Sequence, residues 1–317
     1  MPDSARGPLL LLSGTANRPL SEEIAEQMGI PLGDVTIKRF ADGEIFVRLN
    51  QNARGRDVFI IQPTPAPADN LMELLLLVDA ARRASAARVT VVLPYYGYAR
   101  QDRKDQPRVA IGAKLVANLV EGAGADRVLG VDFHAHQLQG FFDIPVDHLY
   151  AAPVITGYFA QMELEDLVVV APDVGAAKMA RGTARRLDAS FAIIDKRRPA
   201  ANVAEVLEVV GQVKGRPCLV TDDMIDTAGT LQSVIQALDE RGATRIFAAA
   251  THAVFSGPAI ERLQSSAVEQ VVVTNTLALS DERRAAFPKL TVLSVAELLA
   301  RAIRYTHSNE SVSQLFG

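Results

Sequence analysis

The sequence predicts an α/β fold of two domains, each a mainly parallel sheet flanked by helices. Three observations predict it. Short apolar runs alternate with amphipathic stretches along almost the whole chain. Those runs are continuous and β-branched rather than alternating, as strands buried on both faces are. The pattern restarts near Ala151-Ala-Pro153, and 317 residues suit two domains of roughly 150 residues. The predicted domains are 1–150 and 151–317, with the C-terminal tail packing back on the first.

The elements follow in order. Asp57 to Gln62 reads as a buried strand, and Asn70 to Ala84 as a helix with leucines on one face and Asp69 as its N-cap. Arg88 to Pro94 is the next strand, Ile111 to Gly122 a helix, and Arg127 to Asp132 a strand. In the second half, Leu167 to Ala171 is a strand and Ala176 to Leu187 a helix. Phe191 to Asp195 and Pro217 to Thr221 are strands, and Thr230 to Arg241 is a helix ended by Gly242. Ile246 to Thr251 and Gln270 to Thr274 are strands around the helix Pro258 to Leu263. Val295 to Tyr305 is the last helix.

Composition bounds the function. A hydrophobic content of 49% supplies a sizeable core and argues against global disorder. A net charge of −4 argues against a generally basic nucleic-acid binder. The one cysteine, Cys218, allows neither an internal disulfide nor a multi-cysteine zinc site. The apolar run Leu9–Leu12 is too short to span a bilayer and lacks secretory flanks. The expectation is a soluble, cytoplasmic protein with neither nucleic acid nor membrane as a partner.

Strand after strand runs into acidic or polar residues: Asp132 and His134, Asp173, Asp195 and Lys196, Asp222 and Asp223. In open α/β sheets, ligands bind beyond the carboxyl ends of strands. The strongest segment is Val220-Thr-Asp-Asp-Met-Ile-Asp-Thr-Ala-Gly-Thr230, an apolar strand entering a turn that a helix leaves. The turn Asp226, Thr227, Ala228, Gly229, Thr230 offers hydroxyls, a close backbone approach and helix N-terminal amides, a combination suited to phosphate. Asp222 and Asp223 suit sugar hydroxyls or a metal held through water. An ordinary capped turn would have little use for two adjacent acids.

Other segments are less decisive alone. Pro94 to Lys104 joins three tyrosines to Arg100, Arg103 and Lys104, suiting a purine and polyphosphate, or a solvated loop. Asp132-Phe-His-Ala-His136 places Asp132 and His134 on one face of an extended strand, where they suit a divalent ion, or a structural histidine. Asp173 and the amides near Gly175 suit Mg²⁺ and pyrophosphate. Asp195-Lys-Arg-Arg-Pro199 reads as a loop able to fold over a polyphosphate, or as a solvated charge run. Phe40-Ala-Asp-Gly-Glu44 suits adenine, but chemistry alone favours a tight hairpin turn.

Together and in this order, these segments resemble the class I ribose-phosphate pyrophosphokinases, from about Leu11 to Phe316. The resemblance is carried by Phe40–Glu44, Pro94–Lys104, Asp132–Ala135, Gln139–Pro145, Ile194–Pro199, Asp222–Thr230, Ser256–Pro258 and Ser311–Ser313. It implies two phosphoribosyltransferase-like domains and transfer of the β,γ-diphosphoryl group of ATP to the 1-hydroxyl of ribose 5-phosphate. It further implies Mg²⁺ dependence and assembly as a homohexamer or another multiple of dimers. By match to the family's motifs, Asp226 to Thr230 hold the 5-phosphate, and Asp222 and Asp223 the ribose hydroxyls. Arg100, Gln101 and His134 meet ATP phosphates and metal, and Asp173 ligates Mg²⁺. Phe40, Asp42 and Glu44 reach adenine in a neighbouring subunit, while Lys196 and Arg198 are the catalytic pair on a loop. Ala176 departs from the family's pattern, standing where a second glycine is usual.

Two rival readings make different demands. A phosphoribosyltransferase would need one such domain and a base-binding hood. A catalytically dead regulatory subunit would carry altered motifs, whereas His134, Lys196, Arg198 and the Asp222–Thr230 segment are all retained.

Overall fold

The computed structural model describes residues 7–197 and 206–315. Its first unit comprises Met1–Tyr150, Thr276–Ala278 and Ser294–Gly317, and its second Ala151–Asn275 and Leu279–Leu293.

The first unit runs β1 (Leu9–Ser13), α1 (Arg18–Met28), β2 (Val35–Arg39), β3 (Ile45–Leu49), β4 (Asp57–Ile61), α2 (Asp69–Arg83), β5 (Arg88–Leu93), α3 (Gly112–Ala123), β6 (Arg127–Val131) and β7 (Val146–Leu149). Five of these strands form one sheet in the order β1-β4-β5-β6-β7, parallel throughout. Every residue of β4 is buried, as a strand covered on both faces requires. Leu12, Ile60, Val91 and Val128 of the sheet share a core with Leu74 and Leu77 of α2 and Val116 and Val120 of α3. Because the connections cross back over the sheet, the carboxyl ends of its strands open on one edge. β2 and β3 form a separate antiparallel hairpin.

The second unit runs α4 (Ala152–Ala160), β8 (Val168–Ala171), α5 (Ala177–Arg186), β9 (Ser190–Arg197), β10 (Val206–Val210), β11 (Pro217–Ile225), α6 (Gly229–Glu240), β12 (Arg245–Ala253), α7 (Ala259–Gln264), β13 (Gln270–Thr274), α8 (Asp281–Ala285) and β14 (Leu290–Leu293). Its sheet has the order β10-β9-β8-β11-β12-β13-β14, and β9–β10 is its antiparallel pair. Gly242, in the left-handed region at φ 79°, follows the end of α6 as the sequence predicts. The chain rejoins the first unit in α9 (Ala296–Ser308), which packs beside α1.

Three readings of local structure are corrected. Asp69 is not the N-cap of α2: Ala68 occupies that position, while Asp69 lies in the first turn and pairs with Arg39 at 2.7 Å. β11 does not stop at Thr221 but continues through Ile225, with Asp222 opposite Ala250 and Met224 opposite His252. Pairing with β12 alone carries the ladder past the apolar run, since β8 pairs with β11 only as far as Val220. Asp132 and His134 do not share a strand face, because β6 ends at Val131 and Asp132 turns the chain at φ 39°.

Candidate active site

The second unit holds the denser cluster. β11 carries Asp222 and Asp223 in its ladder, and the Asp223 N–H donates to Asp222 Oδ1 at 2.9 Å. Burial raises the Asp222 carboxyl well above the ordinary aspartate range, and the negative charges of Asp223 and Asp173 push it further. That coupling places Asp173, just beyond β8, within electrostatic reach of the pair on the neighbouring strand. The three acids share one negative field, suited to cations and sugar hydroxyls. Among the described residues, no group of three or more His, Cys, Asp or Glu forms a ligand set for a metal ion.

Beyond β11, residues 226–228 turn into α6. Ala228 caps the helix from the left-handed region at φ 58°, which costs a non-glycine residue about 1 kcal/mol. Carbonyls entering this turn are engaged from the segment after β12. Phe255 N–H donates to Ile225 O at 2.9 Å, Ser256 N–H to Asp226 O at 3.0 Å, and Arg262 Nη1 to Thr227 O at 2.8 Å. Thr227, Gly229 and Thr230 thus stand together at the start of α6, as the motif predicts.

The turn after β8 differs from its expectation in one respect. The Ala176 amide already donates to Asp173 Oδ1 at 3.1 Å, so that amide is engaged within the turn. β9 continues through Arg197, with Lys196 paired opposite Leu207, so the backbone of Lys196 is in a ladder rather than a loop. Arg198 lies outside the described residues.

In the first unit, Arg100 and Gln101 lie beyond β5. Thr64 and Tyr96 clasp that segment. Gly97 N–H donates to Thr64 Oγ1 at 2.9 Å, Thr64 N–H donates to Tyr95 O at 3.0 Å, and Tyr96 OH donates to Ala113 O at 2.7 Å. A Cβ on Gly97 would stand 1.9 Å from Thr64 O, so only glycine fits there. His134 is exposed in the turn after β6. The two turns are stitched by Tyr96 against Phe133, ring centroids 5.4 Å apart, and by Gln137 Nε2 donating to Asp102 at 2.9 Å.

Phe40, Asp42 and Glu44 sit at the tip of the β2–β3 hairpin rather than in either sheet-edge cluster. The tip closes with Phe40 N–H donating to Glu44 O at 2.9 Å and Glu44 N–H to Asp42 Oδ1 at 3.1 Å. Phe40 remains 49% exposed. Residues that sequence reasoning missed are Thr64 and Arg262. Neither belongs to a recognisable motif, and each acts on a turn more than thirty residues away in the chain.

Comparison with known proteins gives a consistent picture. Residues 9–124 match the model described as the N-terminal domain of ribose phosphate pyrophosphokinase, and residues 195–317 match the phosphoribosyl synthetase-associated domain. The chain is 56% identical over 312 residues to ribose-phosphate pyrophosphokinase 2, chloroplastic, of Arabidopsis thaliana, covering 97% of this chain and 78% of that one. It is 54% identical over 319 residues to the ribose-phosphate pyrophosphokinase of Synechococcus elongatus, covering 100% and 95%. The crystal structure of phosphoribosylpyrophosphate synthetase from Mycobacterium smegmatis superposes with a TM-score of 0.90 at 45% identity, covering 96% of this chain and 100% of that one.

Proposed function

This chain belongs to the ribose-phosphate pyrophosphokinase family, and we propose how its residues carry that family's reaction. It transfers the β,γ-diphosphoryl group of ATP to the 1-hydroxyl of ribose 5-phosphate, giving phosphoribosyl pyrophosphate and AMP. The ribose O1 forms a bond to Pβ, the Pβ–O bond to the α-phosphate breaks with its electrons leaving on AMP, and the hydroxyl proton passes to solvent water. Such a transfer needs positioning and charge neutralisation more than covalent chemistry.

The observation that carries the assignment of roles is the β11–α6 turn, with a left-handed Ala228 ahead of the helix and two acids on the entering strand. Asp226, Thr227, Ala228, Gly229 and Thr230 hold the 5-phosphate, and Asp222 and Asp223 hold the ribose hydroxyls. Arg100, Gln101 and His134 hold the ATP triphosphate. Lys196 and Arg198 stabilise the charge that develops on the transferring group.

Mg²⁺ fits the donor chemistry present. Mutual repulsion among Asp173, Asp222 and Asp223 is relieved by a cation. By the motif match, Asp173 of the second unit and His134 of the first would each serve as a Mg²⁺ ligand, and the metal would neutralise polyphosphate charge.

The exposed hairpin tip supports a role for Phe40, Asp42 and Glu44 toward adenine in a neighbouring subunit, within a homohexamer or other multiple of dimers. Among the described residues, no helix is long and apolar enough to cross a membrane. A cytoplasmic location is the reading that the absence of secretory flanks around Leu9–Leu12 supports.

The deciding assay supplies ATP, ribose 5-phosphate and Mg²⁺ and separates the nucleotides. AMP appearing in equal amount with phosphoribosyl pyrophosphate is the expected result. ADP instead would mark a single-phosphoryl kinase and overturn the reading.

A further inference from the structure

The three carbonyls of Ile225, Asp226 and Thr227 are consecutive, and the segment 255–262 engages all three. In a planar trans peptide, the carbonyl of one residue and the N–H of the next point in opposite directions. Holding these carbonyls toward 255–262 therefore turns the amides of Asp226, Thr227 and Ala228 the other way, onto the face where an anion would sit. Successive amides presented in this manner form an anion-binding concavity.

Two of the donors are backbone amides on a segment that is itself constrained. Phe255 and Gly257 both have left-handed φ, 48° and 53°. Arg283 Nη2 donates to Phe255 O, and Phe255 packs edge-on against Phe287 at 6.2 Å between centroids. The third donor is the guanidinium of Arg262 on α7, and it grips the carbonyl immediately before the left-handed Ala228. Its Nη1 stands 3.4 Å from where a Cβ on Gly229 would lie. The guanidinium thus sets a positive charge directly beside the turn.

We propose that Arg262 is a positioning residue for the 5-phosphate of ribose 5-phosphate: it fixes the Thr227–Ala228 peptide with its amide toward the anion and adds a positive charge behind the turn. This rests on the reading of Asp226–Thr230 as the phosphate cradle. A hydrogen bond from a charged donor is worth enough that its loss costs about tenfold or more in affinity.

The test uses the full-length enzyme, with Arg262→Met, Arg262→Lys and Thr230→Val assayed separately. Arg262→Met should raise KM for ribose 5-phosphate about tenfold or more, leave KM for ATP unchanged and move kcat little. Arg262→Lys should recover part of that loss, because it restores a charge but not the planar fork. A general loss of packing would not single out one substrate. If Thr230→Val raises KM for ribose 5-phosphate while Arg262→Met does not, the role of Arg262 is overturned and the cradle stands. If neither variant moves it, the cradle reading falls. Should Arg262→Met fail to fold, Arg262→Lys decides alone: a selective rise supports the role, and unchanged constants overturn it.

Discussion

His307 Nδ1 lies 2.7 Å from Oδ2 of Asp57, a carboxylate with no exposed surface. Arg88 grips the same group through Nε at 2.7 Å and Nη2 at 2.5 Å, and Nη2 also donates to Thr306 O at 3.1 Å. One buried charge thus ties the end of α9 to the first residues of β4 and β5. Removing one member of a buried ion pair strands its partner, so Asp57→Ala should lose roughly 3 kcal/mol or more of stability. His307→Ala should lose about 1 kcal/mol, since Arg88 still satisfies the carboxylate. Urea unfolding checks both, and matching midpoints for Asp57→Ala and wild type would refute the tie. Because Asp57 and Arg88 open their strands, at the ends remote from the sheet's ligand edge, turnover below the melting transition should change little.

The Thr64 hydroxyl supplies the acceptor for Gly97 N–H in the segment leading to Arg100 and Gln101. Thr64→Val keeps the shape and removes that acceptor, leaving a buried amide unsatisfied at a cost of about 1–3 kcal/mol. KM for ATP should rise about tenfold, KM for ribose 5-phosphate should hold, and Thr64→Ser should restore the wild-type value. Equal rises in both constants would mean that Thr64 supports the fold alone.

The parallel core was legible because its strands are covered on both faces and so read as unbroken apolar runs. β4, β5 and β13 begin where the runs begin. Legibility fails where backbone pairing outlasts hydrophobicity. Asp222 and Asp223 look like the end of a strand, yet β12 carries the ladder on to Ile225 after the β8 pairing has ended at Val220. The short apolar helix α4 and the partly exposed strand β14 give too weak a period to stand out. Candidate site residues stood out where a motif packs several donors or acids into a few positions, as at 222–230. Arg262 and Thr64 did not, because their work depends on which distant carbonyl or amide the fold brings beside them.

The backbone of Lys196 lies in the β9–β10 ladder, on the strand beside β8 and hence one strand from the turn holding Asp173. In the proposed role, the Lys196 cation stabilises charge that grows during transfer, and not the bound ground state. Lys196→Ala should therefore lower kcat by roughly 100-fold or more while KM for ribose 5-phosphate changes less than about threefold. Steady-state kinetics with both substrates varied makes the comparison. Turnover within twofold of wild type would remove Lys196 from the mechanism.

Asp222 gives a pH dependence whose sign follows from its surroundings. Burial first, then the charges of Asp223 and Asp173, raise its folded-state pKa above that of the unfolded chain. The folded state then binds the proton more tightly than the unfolded state. Its contribution is fully present below the ordinary aspartate range and is lost as pH rises through the raised folded value. Asp222→Asn, isosteric and uncharged, escapes that loss. The variant should melt close to wild type in acid, and its advantage should grow as pH is raised across neutrality, while KM for ribose 5-phosphate rises as a sugar-hydroxyl acceptor is lost. Adding Mg²⁺ at high pH should narrow the gap, since a cation offsets the same repulsion in the wild-type chain. A difference in melting temperature that stays flat from acid to alkaline pH would show that the three acids do not share one field.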